Sequence, residues 1–415
     1  MSKSGQRLTA RAVKGISMAK KGWVVGSSLV TSRLTEARLP SDLKPRGDDA
    51  FTAAVYFSSD MTSVYQLEQW LWPLEQLAGQ LGEASLAIFV RDPQVALHIQ
   101  ARTDLPVRFS RLSHGLDTFM ESKRLRLIFY VNQAKGNFQS LRFPRPAHVH
   151  LSHGESEKIS MISNQLKAYD YVFTAGHAAR VRITDTLIGM TEDRMIDVGR
   201  PQLDRPRQIP QLWQSFDGQA PSGPVVFYAP TWEGDSAAMA YGTLAHNGET
   251  MLRSLLDAGY RVIFRPHPRT GVVDKQFAVA LEGVRRLVTA HPRGFLDTSP
   301  DVSWQFDVAE VALAEMSSVA FDWLSTRKPL VMVSPRNPHA EVLPGGLFDR
   351  CPTIESASGR DVAGLIKTTV AGFDGEAIAE DYLGDTSSGC QIRRFIDASA
   401  QVIAQRSAAL GHAVE

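Results

Sequence analysis

VVFYAPTW, Val225 to Trp232, is an apolar run of β-branched and aromatic residues that stops at Pro230 and leaves the hydroxyl of Thr231 just beyond its end. Such a run reads as a buried strand whose exit carries a group able to meet a ligand. The pattern repeats downstream in RVIFR (Arg261 to Arg265), VALA (Val311 to Ala314) and PLVMV (Pro329 to Val333), each bracketed by helical stretches. Upstream it appears in AAVYF (Ala53 to Phe57), LAIFV (Leu86 to Val90), LRLIFYV (Leu125 to Val131), AHVHL (Ala147 to Leu151), YVFT (Tyr171 to Thr174) and MIDVG (Met195 to Gly199). Strands alternating with helices imply parallel sheets with crossover helices. Two such series imply two Rossmann-like domains.

Between Arg205 and Pro224 four prolines, Pro206, Pro210, Pro221 and Pro224, block regular structure, so the interdomain connection is placed there. The reading divides the chain into a basic segment 1–50, a first Rossmann-like domain 51–205, a linker 206–224, a second domain 225–385 and a C-terminal helix 386–415 that packs back on the first domain. The segment from Tyr65, YQLEQWLWPLEQLAGQL, reads as one helix kinked at Pro73.

At 415 residues, 43% hydrophobic and 21% charged, the chain has ordinary globular composition and enough length for both domains. No stretch approaches the roughly 18 apolar residues of a membrane span, and the run from Trp23 to Val30 has no cleavage site after it, so the chain reads as cytoplasmic. Cys351 and Cys390 allow neither a disulfide framework nor a zinc-spaced pair and read as buried or half-buried thiols. The near-neutral total hides an asymmetry: Lys3, Arg7, Arg11, Lys14, Lys20, Lys21 and Arg33 all precede the first acidic residue, Glu36. With Leu8, Ala12, Ile16 and Ala19 beside the basic positions, this segment is either an interfacial helix for an anionic membrane or a basic tail. Nucleic acid is disfavoured, because no aromatic residues interleave with the cations.

Ligands of open parallel sheets bind beyond the carboxyl ends of the strands. Five such ends carry phosphate-compatible chemistry. Past Leu151 come His153, Gly154 and Lys158; past MIDVG come Gly199, Arg200 and Asp204; past VVFYA comes Thr231; past RVIFR come Arg265, His267 and Arg269 on a proline-stiffened loop; past VALA come Ser317 and Ser318, opening an apolar helix. Taken singly each has a plainer reading, as a loop histidine, a solvated turn or an ordinary helix cap. Together, over both domains, they point to a phosphate-bearing ligand. A Walker loop, HExxH, GxSxG, a glycine-rich dinucleotide fingerprint and metal-ligand spacings are all missing from the sequence, which gives no cofactor and no metal site.

From about Leu125 to Ser334 the ordered motifs resemble the CDP-glycerol glycerophosphotransferase family, which builds teichoic acids and related phosphate-linked polymers. His153-Gly154 with Lys158 looks like its HG motif, Val198 to Asp204 its G-x-P-R-x-D segment, Ala229 to Thr231 its A-P-T segment, Arg265 to Pro268 its R-P-H-P motif and Met316 to Asp322 its donor-phosphate helix. The resemblance implies a GT-B-like α/β fold, two Rossmann-type domains with parallel sheets facing a cleft. It also implies a CDP-alcohol donor and a polymer or lipid-linked acceptor, with His153 as base and His267 as a second catalytic residue near the donor pyrophosphate. Gly154, Lys158, Gly199, Arg200, Asp204, Thr231, Arg265, Arg269, Ser317, Ser318 and Asp322 would then meet substrate. Ser152 and Glu155 replace the usual Trp and Thr around the HG pair, and Ala314-Glu315-Met316 replaces Thr-Asp-Tyr. Glu155 is expected to raise the pKa of His153 by stabilising its protonated form, and Asp322 to stabilise the first turn of its helix. A nucleotide-sugar glycosyltransferase or epimerase of the same fold, or a silent nucleotide- or polymer-binding scaffold, are the competing readings.

Overall fold

The apolar runs form strands because side chains in a sheet covered on both faces must be apolar throughout, not alternately. The computed structural model describes residues 35–411 apart from 37, 83–84, 159–160, 301, 356–360 and 370–371. The basic residues before Glu36 lie outside the described residues. Among the described residues thirteen strands build two parallel sheets: β1 Ala53–Phe57, β2 Leu86–Val90, β3 Val107–Phe109, β4 Leu127–Tyr130, β5 Ala147–His150, β6 Tyr171–Thr174 and β7 Met195–Asp197 in the first, in the order β3-β2-β1-β4-β5-β6-β7. The second holds β8 Val225–Ala229, β9 Arg261–Phe264, β10 Gly294–Leu296, β11 Val311–Ala314, β12 Leu330–Val333 and β13 Thr353–Ile354, ordered β10-β9-β8-β11-β12-β13. The short strands β3, β10 and β13, unread in the sequence, lie at sheet edges, where two or three residues suffice to pair with one neighbour.

By contact density the chain divides into one unit of residues 1–149 with 402–415 and another of residues 150–401. In the first unit β1 pairs with β2 from Ala53↔Leu86 to Phe57↔Val90, and with β4 from Ala53↔Leu127 to Val55↔Phe129. The expected single helix from Tyr65 is two, Tyr65–Glu68 and Leu71–Leu81. Pro73 causes the break without being its site. It has no N–H to give the carbonyl four residues earlier, so a helix restarts just before it, with the proline in the first turn where no donor is needed. The C-terminal helix, Cys390–Ala409, joins this unit from Val402 on, and Arg126 Nε donates to Ser407 Oγ at 3.1 Å.

In the second unit the two faces of the six-stranded sheet carry separate cores. Val225, Phe227 and Ala229 join Ala312, Met332 and Trp323 on one side, and Val226 and Tyr228 join Leu252, Val262 and Leu313 on the other. The proline-rich stretch before β8 is not irregular throughout. Pro210 caps a helix, Gln211–Asp217, because a proline costs nothing before the first turn, and Trp213 is buried against Trp304 and Phe295 with ring centroids at 5.5 and 5.2 Å. Register aligns the strand exits that matter: Ala229 lies opposite Ala314 and Tyr228 opposite Phe264. Thr231, Glu315 and Arg265 therefore leave the same edge. Cys351 is buried and Cys390 half-buried, and neither is in a disulfide.

Candidate active site

The loop after β5 starts with a backbone reversal. Ser152 is left-handed at φ 61°, a conformation that costs a non-glycine residue roughly 1–2 kcal/mol and that clusters at functional sites. Its hydroxyl donates to Gly154 O at 3.0 Å and holds the turn. The following carboxylates then pull the loop outward. Glu155 is buried and bonded to the Arg182 guanidinium, while Glu157 accepts from Leu347 N–H at 3.1 Å and from the Tyr382 hydroxyl. His153 and Lys158 lie on the same loop. Gly154 packs against the start of the helix Ser318–Trp323, since a Cβ there would stand 3.2 Å from Ser318 Cβ.

His153 keeps part of its surface open but is densely surrounded, and burial pushes its pKa down to about 4, with the Arg200 guanidinium and the Lys158 ammonium adding to the fall. The expected upward shift from Glu155 is not found. That carboxylate is spent on Arg182, and burial raises its own pKa. His153 is thus a neutral imidazole in the ligand-free protein. Lys158 lies over the Tyr241 ring, 5.5 Å from its centroid, and burial lowers its pKa to about 8 against the attraction of Glu315 and Asp235. Arg200, 5% exposed, places Nε 2.9 Å from Asp322 Oδ1. Asp322 sits near the C-terminal end of the helix Ser318–Trp323, so it pairs with Arg200 and does not serve the first turn.

The loop after β9 is held from below by Glu233, whose carboxylate accepts the N–H groups of Gly271, Val273 and Asp274 at 2.8–3.0 Å. Gly271, at φ 82°, lies so close to Ala278 that an added Cβ would clash at 2.7 Å. His267 Nδ1 accepts the Arg269 N–H at 3.1 Å, and burial, reinforced by Lys158 and Arg269, lowers the ring's pKa to about 4. A neutral ring that accepts at Nδ1 carries its hydrogen on Nε2, which makes His267 a hydrogen-bond donor and not a base. Arg269 stacks on Trp232 with its guanidinium carbon 3.8 Å from the ring centroid. Arg265 is engaged by protein groups: Nη1 donates to Asp297 at 2.6 Å and to Ser299 O at 3.0 Å.

Beyond β11, Glu315 is fully buried and accepts the N–H groups of Thr231 and Thr243, both at 2.8 Å, together with the Thr243 hydroxyl. The Ser317 and Thr231 hydroxyls are buried with no hydrogen-bond partner. Buried polar groups are nearly always satisfied, so two open hydroxyls on adjacent exits mark where a ligand's acceptors belong. At the exit of β7, Gly199 (φ 73°) is packed against Arg394 and Gln391, the Arg200 N–H donates to Gln391 at 2.9 Å, and Asp204 accepts the Ile392 N–H at 2.8 Å. That segment secures the start of the C-terminal helix.

Mutual electrostatics tie His153, His267, Lys158, Arg200 and Glu315 into one constellation, because Lys158 perturbs both histidines and Glu315 while Arg200 perturbs His153. Gly154 and Ser318 touch it, and Thr231 is bonded to it. Asp204, Gly199 and Arg265 face other protein groups. Glu233, Tyr241 and the Glu155–Arg182 pair went unread in the sequence, and Glu315 entered only as a departure from the family's motif; the position of Glu315 and Glu233 at strand exits was the available signal. Among the described residues no group of three or more His, Cys, Asp or Glu could hold a metal ion, and no helix is long and apolar enough to cross a membrane.

Two parallel α/β sheets with the polar groups gathered beyond the strand ends define a GT-B-type protein. The solved wall teichoic acid polymerase TagF, as a variant soaked with CDPG, matches it at 14% identity and TM-score 0.52 over 98% of this chain and 99% of that one. A glycosyltransferase from Rickettsia africae (9%, TM-score 0.54, 85% and 98% covered) and the UDP-GlcNAc 2-epimerase from Methanocaldococcus jannaschii (11%, TM-score 0.53, 83% and 99%) share the fold. No curated protein matches in sequence. Residues 148–337, the stretch that holds most of the site, match the model of the CDP-glycerol:poly(glycerophosphate) glycerophosphotransferase family. That stretch, somewhat under half of the chain, is similar to these glycerophosphotransferases.

Proposed function

We propose that the enzyme moves a glycerol-phosphate, or related polyol-phosphate, from a CDP-alcohol to a hydroxyl of a polymer or lipid-linked acceptor and releases CMP. The observation that carries this reading is the neutral, partly open His153 beside two cations and next to Gly154, which rests on the Ser317–Ser318 turn with its unpartnered hydroxyl. His153 takes the proton of the acceptor hydroxyl as its oxygen attacks the alcohol-bearing phosphorus. The bond to the bridging oxygen breaks and its electron pair leaves with CMP. Lys158, Arg200, the Ser317 and Thr231 hydroxyls and the His267 Nε2–H supply charge and donors for the phosphates. A bound diphosphate would also offset Lys158 and Arg200 and so raise the basicity of His153 once the donor is in place. The basic residues before Glu36 bring the enzyme to an anionic membrane surface, a reading that unchanged vesicle co-sedimentation after their deletion would sink.

The test combines donor-induced thermal shift with product analysis. CDP-glycerol or CDP-ribitol at 100 times its dissociation constant should stabilise by about 2.7 kcal/mol, and turnover should yield CMP and a new phosphodiester. A shift with UDP- or GDP-sugars alone, with a nucleoside diphosphate as product, would replace this reading with glycosyl transfer.

A further inference from the structure

Glu315 has no solvent exposure, yet it is ringed by donors that fix its direction. One oxygen takes the Thr231 N–H and the other takes both the N–H and the hydroxyl of Thr243, the residue that opens the turn Leu244–Gly248. A carboxylate offers an acceptor to each side, whereas an amide in its place would turn an NH2 toward one of two N–H groups. The stretches it joins are 84 and 72 residues away in sequence, so no local bond substitutes for it. The Thr231 it orients carries one of the two open hydroxyls, and Lys158 lies in its field.

We infer that Glu315 is a positioning residue for the transfer, tying Thr231 to Thr243 so that the Thr231 hydroxyl stands ready for the donor phosphates, without touching the substrate. The inference rests on the functional reading above. Burial lowers the pKa of Lys158, the charges of Glu315 and Asp235 oppose that fall, and Lys158 in turn lowers His153 and His267. The charge of Glu315 also bears on Tyr228, and burial lifts its own pKa to about 7 against the Thr243 and Thr231 hydrogen bonds. Removing its charge therefore lets the Lys158 proton go at lower pH.

The experiment is Glu315→Gln in the full chain, read first without substrate. In lysine-13C-labelled protein, with Lys158→Arg for assignment, the Lys158 midpoint is expected to fall by about one unit from its wild-type value near 8. Hydrogen exchange at the Thr231 or Thr243 amide should quicken by about tenfold or more as one tether is lost. With CDP-glycerol, the donor KM should rise roughly tenfold while kcat changes less than threefold, and the alkaline limb of kcat/KM should follow the Lys158 midpoint. Glu315→Asp, which keeps the charge but shortens the reach, should leave the midpoint near wild type and still raise KM. A variant that melts earlier but keeps the Lys158 midpoint, the amide protection and the donor KM overturns the inference and leaves Glu315 a scaffold. Should Glu315→Gln not fold, Thr243→Val removes only the hydroxyl donor and is expected to raise donor KM two- to threefold, an unchanged KM overturning the proposal. If wild-type protein turns over no CDP-alcohol, the functional reading fails by itself, and the Lys158 titration and amide exchange still decide whether the tether exists.

Discussion

The two units solve the same problem at their strand ends in opposite ways. In the first, the hydroxyl and amide groups past β1 and β4 close on each other: Ser58 Oγ donates to Asn137 Oδ1 at 3.2 Å, Asn132 Nδ2 donates to Gln66 Oε1 at 2.8 Å and to Ser59 Oγ at 3.2 Å, and past β2 Asp92 caps the helix Pro93–Gln100. In the second, Thr231 and Ser317 keep hydroxyls buried and unused, and two histidines are held neutral among cations. A buried unsatisfied polar group costs about 1–3 kcal/mol, so a closed network favours the fold and an open one favours a ligand. Polar residues at strand exits alone do not mark a site; those left without partners do.

The strongest way to break the comparison is His153→Ala. CMP release is expected to fall by about 10²–10⁴-fold, the usual share of a general base, with the melting temperature close to wild type, as stopped-time product analysis and calorimetry would show. Retained turnover would remove His153 from the chemistry. Asp322→Ala comes next and acts on the fold. It strands the Arg200 guanidinium, whose pair is almost fully enclosed, and should cost about 3–5 kcal/mol in denaturant unfolding. An exposed-pair value below 1 kcal/mol would show that water reaches Arg200. Asn132→Ala in the first unit is the counterpart. It opens a closed network, so stability should drop by about 1–3 kcal/mol while kcat/KM stays put.

Acid should expose the second unit's bias in a graded way. Burial holds His153 and His267 down to about 4 and His150, stacked on Tyr169, down to about 3. Unfolded, all three take up protons near pH 6.5. Between those values the unfolded chain binds more protons at these three rings, so their contribution to stability is complete above about pH 6.5 and is lost toward pH 4, outweighing the opposite contribution of the raised Glu315 carboxyl. Melting temperatures across that range should slope accordingly, and His150→Phe, which keeps the stack, should make the slope shallower. A flat profile would mean that the histidines are hydrated.

How much of this could be read beforehand follows from the range of the interactions. The central strands announced themselves because a strand buried on both faces is written as one apolar run, and VALA or LAIFV needs no context. Edge strands such as Thr353–Ile354 are too short to carry a pattern, and the Gln211–Asp217 helix hid among prolines of which one is its cap. At the site, residue types and loop order were legible, and the pairings were not. Arg265 read as a phosphate ligand because nothing local says that Asp297 will claim it, and Glu155 read as a partner of His153 because Arg182 is 27 residues further on. Sequence shows what a loop offers; only packing shows what remains unspent.

The smallest effect is the sharpest test of that last point. Thr231→Val replaces a hydroxyl by a methyl of nearly the same shape. Where a buried hydroxyl is bonded, this change destabilises; where it has no partner, the desolvation penalty disappears with it. Thr231 is 1% exposed with Oγ1 unbonded, and its anchorage to Glu315 runs through the backbone N–H, which valine retains. The variant should therefore unfold at the same denaturant concentration as wild type or slightly above it, while the donor KM rises about fivefold, the loss of one neutral hydrogen bond of about 1 kcal/mol. A loss of stability with unchanged KM would mean that the hydroxyl serves the fold, and the contrast between the two units would then fail at the residue where it is drawn most narrowly.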